Sequence, residues 1–244
     1  MATTYTPQQL ALIDEHRDWN VDGGSDWWQP TFEDFVDVAK AFGIAIDFDD
    51  IQFSGFWSQG DGASFKFGTT NAYDVIMAAI EVRKSGAYGD SGYVAEFYAL
   101  ARQLEQVFSP WVLVCKEGRE AAEAYRFWAE RTSHHYSHAG TVTVEAEWEE
   151  SLLGVDDGED PPSFFQELSK RIYMEGDRPG YYVVSLRHDI DQQVECIANA
   201  LYASLREEHD YLTSDDAVWE SLEANGITVE EEEVEEEEVD EVES

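Results

Sequence analysis

The fold is decided by the stretch Ile51-Gln-Phe-Ser-Gly-Phe-Trp-Ser-Gln-Gly-Asp-Gly-Ala-Ser-Phe-Lys-Phe67. Its aromatic side chains have the shapes that fit the pleated surface of a sheet. Gly60 and Gly62 flank Asp61 and supply the positive φ values that a short connection between strands needs. We therefore predict a β-hairpin whose two short aromatic strands are joined by a tight turn at residues 58–62.

This hairpin has two interpretations. The simpler one is structural, because Gly-Asp-Gly is common turn chemistry and Gly55 indicates a bulge or a close backbone approach. In the second, Trp57, Ser58, Gln59 and Asp61 form an exposed recognition tip, since loops on a rigid scaffold often carry binding residues. A phosphate-binding loop does not fit, because the Gly-Lys-Ser/Thr ending and the following helix are missing.

The composition predicts a folded chain. Of the 244 residues, 43% are apolar and 14% are aromatic, enough to bury a sizeable core. We expect an α+β fold in which a small antiparallel sheet, built around the hairpin, is packed by amphipathic helices. One such domain is predicted over residues 1–228, with an acidic loop near residues 153–162 and a disordered acidic tail over residues 229–244.

The sequence predicts a cytoplasmic protein. The first residues lack the basic start and apolar centre of a signal peptide, and no apolar run reaches the length of a membrane span. Cys115 and Cys196 are too few for a disulfide scaffold and lack metal-ligand spacing. We expect both to be reduced and buried.

Negative charge is the dominant global property. The chain has 53 acidic residues against 15 Lys and Arg, a formal net charge of −38. The segment from Val229 to Ser244 holds 11 acidic residues and no basic one, which leaves 42 against 15, or −27, in the rest of the chain. Such a field repels nucleic-acid phosphates and attracts basic surfaces. High solubility and adaptation to a salty host are the alternatives.

Apolar residues at spacings of three and four predict most of the helices. Thr6 and Pro7 are typical of a helix start, and Thr31 with Asp34 resembles a capping box before a second helix that Gly43 ends. The predicted helices cover residues 6–19, 32–42, 72–82, 93–108, 119–130, 163–173, 192–205 and 215–224. The strands predicted outside the hairpin cover residues 44–48, 111–115, 141–148 and 181–186.

Six segments together form a recognisable pattern: Trp27-Trp28, Phe32 to Gly43, Ile44 to Phe48, Phe53-Ser-Gly-Phe-Trp-Ser-Gln-Gly-Asp-Gly-Ala-Ser-Phe65, His135-Tyr-Ser-His138 and Tyr211-Leu-Thr-Ser-Asp-Asp-Ala-Val218. With them, the chain resembles a family common in phage and prophage genomes that often carries the label "antitoxin of toxin–antitoxin stability system". The resemblance implies a phage-type cytoplasmic protein and transfers no catalytic residues. The chain departs from it by extra residues around Gly154 to His188 and by the acidic tail.

No complete catalytic or metal-binding set is visible in the sequence. His134, His135 and His138 invite a metal site, but no Glu stands where a His-Glu-x-x-His pattern needs it, and a polar loop is the simpler interpretation. His188-Asp189-Ile190-Asp191 resembles a metal-ligand pattern of hydrolases, although an acidic chain offers many chance His-Asp pairs. We predict no catalytic residue, no metal and no cofactor.

The favoured function is a non-enzymatic binding protein. We expect its carboxylates to imitate nucleic-acid phosphates and to occupy the basic groove of a host protein, such as a defence nuclease, a nucleoid protein, a polymerase or a toxin. The predicted partner-binding residues are Trp57, Ser58, Gln59, Asp61, Trp27, Trp28, Glu33, Asp37, Glu145, Glu147 and Glu149.

Two other classes of function stay open. One is a phage protein that binds single-stranded DNA or assists replication, which the eight tryptophans and the acidic tail fit but the scarcity of Lys and Arg does not. The other is a metal-dependent enzyme that uses His188, Asp189 and Asp191. Neither direct nucleic-acid binding nor membrane association is expected.

Overall fold

The computed structural model describes residues 4–22, 26–108, 115–133, 135–148 and 180–229. The chain forms two compact units. The larger unit runs from Trp28 to Glu207, and the smaller one combines the described residues up to Trp27 with those from Glu208 onward. Helices combine with two small antiparallel sheets, which confirms the α+β prediction. The prediction of a single domain over residues 1–228 stays a prediction.

In chain order the described elements are α1 (Pro7–Glu15), α2 (Gln29–Ala41), a 3₁₀ turn (Phe48–Asp50), β1 (Ile51–Phe53), β2 (Ala63–Phe65), β3 (Phe67–Asn71), α3 (Ala72–Ser85), α4 (Gly92–Phe108), α5 (Lys116–Ala124), β4 (Tyr125–Arg131), a second 3₁₀ turn (Ala139–Thr141), β5 (Val142–Trp148), α6 (Gly180–Leu212) and α7 (Asp215–Ala224).

The predicted hairpin is confirmed, and it forms a sheet of its own. β1 and β2 pair antiparallel, with Ile51 opposite Phe65 and Phe53 opposite Ala63. Their connection covers residues 54–62, so the loop is longer than the tight turn that the glycines suggested. The second sheet has the order β3-β4-β5, all antiparallel.

Aromatic rings fill the core of the larger unit. The ring of Phe35 on α2 lies 5.2 Å from Phe65 of the hairpin and 5.7 Å from Phe97 of α4, measured between ring centroids. Phe67 of β3 meets Phe127 of β4 edge to face at 6.0 Å. Such offset and edge-to-face pairs add about 0.5–1.5 kcal/mol each beyond the burial of their area. The predicted inward residues of α6 are buried: Val194, Ile197, Ala198, Leu201 and Leu205.

The smaller unit is a pair of terminal helices. Ile13 of α1 packs with Val218 and Leu222 of α7, all of them fully buried. Thr6 makes the expected capping box at the start of α1, since its side chain accepts from the Gln9 amide and the Gln9 side chain accepts from the Thr6 amide. Ser214 caps α7 as predicted, by accepting from the Ala217 amide.

The predicted helix over residues 119–130 is wrong in its second half. α5 ends at Ala124, and residues 125–131 form β4, the central strand of the second sheet. Ala and Glu have high helix propensity, but the backbone of β4 pairs with β3 on one side and β5 on the other. The alternating residues Tyr125, Phe127 and Ala129 are buried. Tertiary packing of this alternating face overrides the local preference.

Three further predictions are corrected. α2 begins at Gln29 with Trp28 as its N-cap, so Thr31 lies inside the helix and forms no capping box. Residues 44–47 are irregular and lead into a 3₁₀ turn, although Ile44 and Ile46 are buried in alternation as predicted for a strand. The segment 181–186 is helical as part of α6. For residues 44–47 the alternating burial is present, but no neighbouring strand pairs with this segment within the described residues.

Some predictions lie outside the described residues: nearly all of the strand at 111–115, the acidic loop at 153–162, the helix at 163–173, and the tail beyond Val229. Among the helices that the structure describes, none is both long and apolar enough to span a bilayer.

Candidate functional site

The hairpin loop (residues 54–62) is held in one shape by the Asp61 carboxylate. Oδ2 of Asp61 accepts from the backbone amides of Trp57, at 2.8 Å, and Ser58, at 2.5 Å. The Asp61 amide in turn donates to the Ser58 carbonyl at 3.0 Å. Charge-assisted bonds of this kind are roughly twice as strong as neutral ones. The carboxylate predicted to contact a partner therefore already organises its own loop.

A second segment, the His segment (residues 135–138), packs against this loop. The Ser137 amide donates to the Gly60 carbonyl at 3.3 Å. A Cβ atom added to Gly60, which has a φ of +100°, would lie 2.3 Å from Cδ1 of Tyr136. A Cβ atom on Gly62 would lie 2.6 Å from the backbone Cα of His138. At Gly62 the neighbour is backbone, which leaves no room for a side chain, whereas at Gly60 it is the ring of Tyr136 and the positive φ itself favours glycine.

The His segment is fixed from its other side as well. Ser133 Oγ accepts from the amides of His135 and Tyr136 at 3.2 and 3.1 Å. The Thr141 hydroxyl donates to the His138 carbonyl at 2.8 Å, and the amide of Thr132 donates to the Thr141 carbonyl at 2.8 Å. The segment is a polar loop, the simpler of its two interpretations from sequence, and it lies against the hairpin loop.

An open cleft of about 480 Å³ lies beside this contact. Its lining consists of Trp28, Phe32, Ile51, Gln52, Phe53, Ser54, His135 and Ser137. Half of the lining residues are polar, so the cleft combines aromatic surface with groups that can form hydrogen bonds, as binding sites do. Four of the six sequence segments that form the recognisable pattern therefore meet around one cleft.

Trp57 projects from the hairpin loop, with 85% of its side chain exposed. Next to it, Phe56 packs on Tyr202 of α6 at 5.3 Å. The guanidinium of Arg206 lies over both rings, 5.6 Å from the Phe56 centroid and 5.5 Å from the Tyr202 centroid. The exposed indole thus stands on a loop whose base is anchored to a long helix.

The other predicted binding residues are scattered. Trp28 belongs to the larger unit and packs on Phe32 at 4.8 Å, whereas Trp27 belongs to the smaller unit and meets His209 at 5.6 Å. Ser58, Gln59, Glu33, Asp37 and Glu147 are exposed, Glu145 is half-buried, and Glu149 lies outside the described residues.

Two of these acidic side chains already have partners. The Gln29 amide group donates to Glu33 at 2.6 Å, and Glu145 forms an ion pair with Arg187 of α6 at 2.9 Å.

One family model matches the chain over residues 27–215, that of the domain of unknown function DUF8835. This covers more than half of the sequence. The chain belongs to the DUF8835 family. The match covers the whole range of the larger unit, including the hairpin loop, the His segment and the cleft. Neither the curated proteins nor the solved structures contain a match to it.

The DUF8835 region does not bring the candidate metal ligands of α6 together. Asp191 accepts from the Val144 amide of β5 at 2.7 Å, and His188 shares a hydrogen bond with Gln192 at 3.1 Å. Asp189 is exposed. Over the described part of the chain no group of three or more His, Cys, Asp and Glu side chains converges as a metal site would require, and His134 lies outside it.

The cysteines are less buried than expected. Cys115 is half-buried and Cys196 is exposed on α6, and both are free thiols. Desolvation, followed by the carboxylates of Glu96 and Glu195, raises the pKa of the Cys196 thiol. A raised pKa lowers the thiolate fraction, so this thiol lacks the activation of a nucleophile.

Sequence reasoning missed the contact between the hairpin loop and the His segment. Gly60 and Gly62 were assigned to turn geometry, and only Gly60 has a positive φ. Gly62 is needed because another backbone lies against it, and no local pattern reveals the segment that does so. The signal was the second glycine itself, since one positive-φ position is enough for a turn of this kind.

Proposed function

We propose that this chain is a non-catalytic binding protein that presents an acidic surface to a basic, nucleic-acid-binding protein and competes with the nucleic acid for it. The observation that carries the proposal is the surplus of carboxylates on the folded part. The described residues include 33 Asp and Glu against 12 Lys and Arg. A duplex presents about one negative charge per 1.7 Å of its axis, so a protein that imitates it needs dense acids over its whole body.

The basic side chains of the chain support this proposal, because most are already neutralised. At least seven of the twelve described Lys and Arg residues form ion pairs with carboxylates: Arg17, Lys66, Arg83, Lys84, Lys116, Arg119 and Arg187. Pairs on an exposed surface contribute little to stability. Their effect here is to remove positive charge from the surface, which leaves a field that attracts cations.

The hairpin loop adds an exposed aromatic side chain, Trp57, to this acidic surface. Exposed tryptophans are enriched among the residues that dominate binding energy at protein interfaces. Trp57 is held on a loop that Asp61 and the His segment fix, so little conformational entropy is lost when it is buried by a partner.

The proposal is tested by affinity purification from cells that express the protein, followed by elution across a salt series. We expect a basic DNA- or RNA-binding protein that elutes at moderate NaCl and whose nucleic-acid complex is displaced by the purified chain. Recovery of no such protein at low salt, or a recovered protein whose nucleic-acid binding is unaffected, contradicts the proposal.

Matched charge variants show which surface is used. A triple variant, Glu33→Gln with Asp37→Asn and Glu147→Gln, removes three exposed carboxylates from the predicted binding set. The control variant, Asp189→Asn with Glu195→Gln and Glu207→Gln, removes the same charge from exposed positions of α6. We expect the first to raise the dissociation constant of the recovered complex about tenfold more than the second. Equal effects would assign the binding to net charge alone.

A second candidate function, binding of single-stranded DNA, is favoured by the Arg206 cluster. Within the described residues Arg206 forms no ion pair, and its guanidinium stacks on Phe56 and Tyr202 beside the exposed Trp57. Aromatic and Arg side chains of this kind stack on bases. A gel shift with an oligothymidine separates the two functions: binding by a truncation after Thr228, weakened by Arg206→Ala, would favour this candidate over the first.

A further inference from the structure

The cleft beside the hairpin loop is lined by aromatic, aliphatic and uncharged polar side chains and by His135. Three aromatic side chains, Trp28, Phe32 and Phe53, contribute to its lining, and none of the eight lining residues is Lys, Arg, Asp or Glu. Aromatic faces attract cations placed within about 6 Å, and Arg more often than Lys because its flat guanidinium stacks on the ring.

Three exposed acidic residues are neighbours in sequence of Phe32, which lines the cleft, or of Phe48, which packs on the lining residues Trp28 and Phe32. Glu33 follows Phe32 on α2 and is exposed. Asp47 and Asp49 are also exposed, and they flank Phe48, whose ring lies 5.8 Å from Trp28 and 5.7 Å from Phe32. A cation that approaches the cleft is therefore attracted by nearby acids and meets aromatic surface once inside.

We propose that this cleft receives an arginine side chain of the basic partner. The inference rests on the proposed function and deepens it, because it names the group by which the partner is held. The rings stack on the guanidinium and its methylene stem, and the polar groups of Gln52, Ser54 and Ser137 lie along the same lining. The acidic tail of the chain has the wrong charge for this site, since its 11 acidic residues repel the neighbouring carboxylates.

The test uses the full chain and three short capped peptides, Gly-Ala-Xaa-Ala-Gly, in which Xaa is Arg, Lys or citrulline. Citrulline has the shape of Arg without its charge. Binding is followed by NMR titration at physiological salt. We expect the Arg peptide to bind about tenfold more tightly than the citrulline peptide, with the Lys peptide between them.

Two variants with the same charge change locate the binding. Gln52→Lys places a cation on the cleft lining, whereas Asn199→Lys places one at an exposed position of α6 that does not line the cleft. We expect Gln52→Lys to weaken binding of the Arg peptide about tenfold and Asn199→Lys less than about twofold, because only the first places its cation on the cleft lining and an exposed charge is screened by salt. If Gln52→Lys does not fold, Ser54→Lys replaces it, since Ser54 is an exposed lining residue.

Three results would overturn the inference: equal effects of the two lysine variants, equal binding of the citrulline peptide, or saturable binding of oligothymidine that Gln52→Lys abolishes while the Arg peptide does not bind. The proposed function fails separately. If the Arg peptide binds in the cleft but no basic nucleic-acid-binding protein is recovered, the function is wrong and the site stands. If such a protein is recovered equally well by Gln52→Lys, the function stands and the site is wrong.

Discussion

At the scale of single residues, Gly62 of the hairpin loop lies directly against the backbone of the His segment. Its backbone needs no positive φ, yet an added Cβ would lie 2.6 Å from the His138 Cα and 3.1 Å from the His138 amide nitrogen. Backbone atoms do not move aside as the end of a flexible side chain does. We therefore predict that Gly62→Ala lowers the free energy of unfolding by about 1–3 kcal/mol, measured by urea denaturation.

Gly68 provides the matched control for this substitution. It lies on β3, is exposed, and a Cβ there would meet nothing within 4 Å. We expect Gly68→Ala to change stability by no more than about 0.5 kcal/mol, or to raise it, because alanine restricts the unfolded chain. Equal losses from Gly62→Ala and Gly68→Ala would show that the contact with His138 is not the cause.

At the scale of secondary-structure elements, α6 protects the free edge of the second sheet. Among the described strands β5 lies at the edge of its sheet, and the Asp191 carboxylate accepts from its Val144 amide at 2.7 Å. Exposed strand edges invite pairing with other chains. We predict that Asp191→Ala lowers the free energy of unfolding by about 1–3 kcal/mol, measured by urea denaturation. Hydrogen exchange at the Val144 amide, followed by NMR, should become faster.

Asp189 is the control for this prediction, because it carries the same charge two residues away and is exposed. Asp189→Ala should leave both stability and the exchange of Val144 nearly unchanged. Slow exchange at Val144 in the Asp191→Ala variant would show that another group covers the edge. Asp191, one of the residues that suggested a metal site, thus has a structural role: its carboxylate binds a backbone amide of an edge strand.

Tyr93 of α4, which is hydrogen-bonded to Asp34 of α2, makes the stability of the fold decrease at alkaline pH. Burial, and then the hydrogen bond to Asp34, raises the pKa of Tyr93. Burial also raises the pKa of Tyr125 on β4. An unfolded tyrosine ionises near pH 10. Above that pH the unfolded state loses protons that the folded state keeps, so stability falls as pH rises, by up to about 1.4 kcal/mol per pH unit for each group.

The measurement is urea denaturation between pH 8 and pH 11. We expect a free energy of unfolding that changes little up to about pH 9 and decreases above pH 10. Tyr93→Phe keeps the ring that packs on Phe35 and removes the ionisable group. Its free energy of unfolding should therefore decrease less above pH 10 than that of the unmodified protein. An unchanged slope in Tyr93→Phe would leave Tyr125 and the lysines as the cause.

The helices of the described fold were easier to predict from the sequence than its strands. Helices with one strong apolar stripe were predicted, as in α4, where Phe97, Leu100 and Leu104 are all buried. β4 was missed, because its alternation is only recognisable as a strand once β3 and β5 lie on either side of it. The candidate site shows the same difference. An exposed Trp57 was predicted from the local sequence of the loop. The cleft was not predicted, because its lining combines segments more than 80 residues apart in the chain.

At the scale of the whole molecule, the net charge of −38 acts against the compact state through self-repulsion. Added salt screens this repulsion, as the Debye length falls from about 30 Å at 0.01 M to about 3 Å at 1 M. We predict that raising NaCl from 0.01 to 0.5 M stabilises the protein by about 1–2 kcal/mol, seen as a Tm that is higher by roughly 2–8 °C. A Tm that falls with added NaCl would contradict this, since it would mean that the ion pairs outweigh the repulsion.

The pairing of α1 with α7 has a consequence for the connectivity of the chain. Tyr5 and Ile227, close to either end of the described sequence, pack against the same cluster of Ile13, Val218 and Leu222. A short glycine linker could therefore join these positions, and new termini could be opened at Gly89, an exposed position where an added Cβ meets nothing within 4 Å. Such a circular permutant should keep its fold, because the linker joins two positions that already pack against the same cluster.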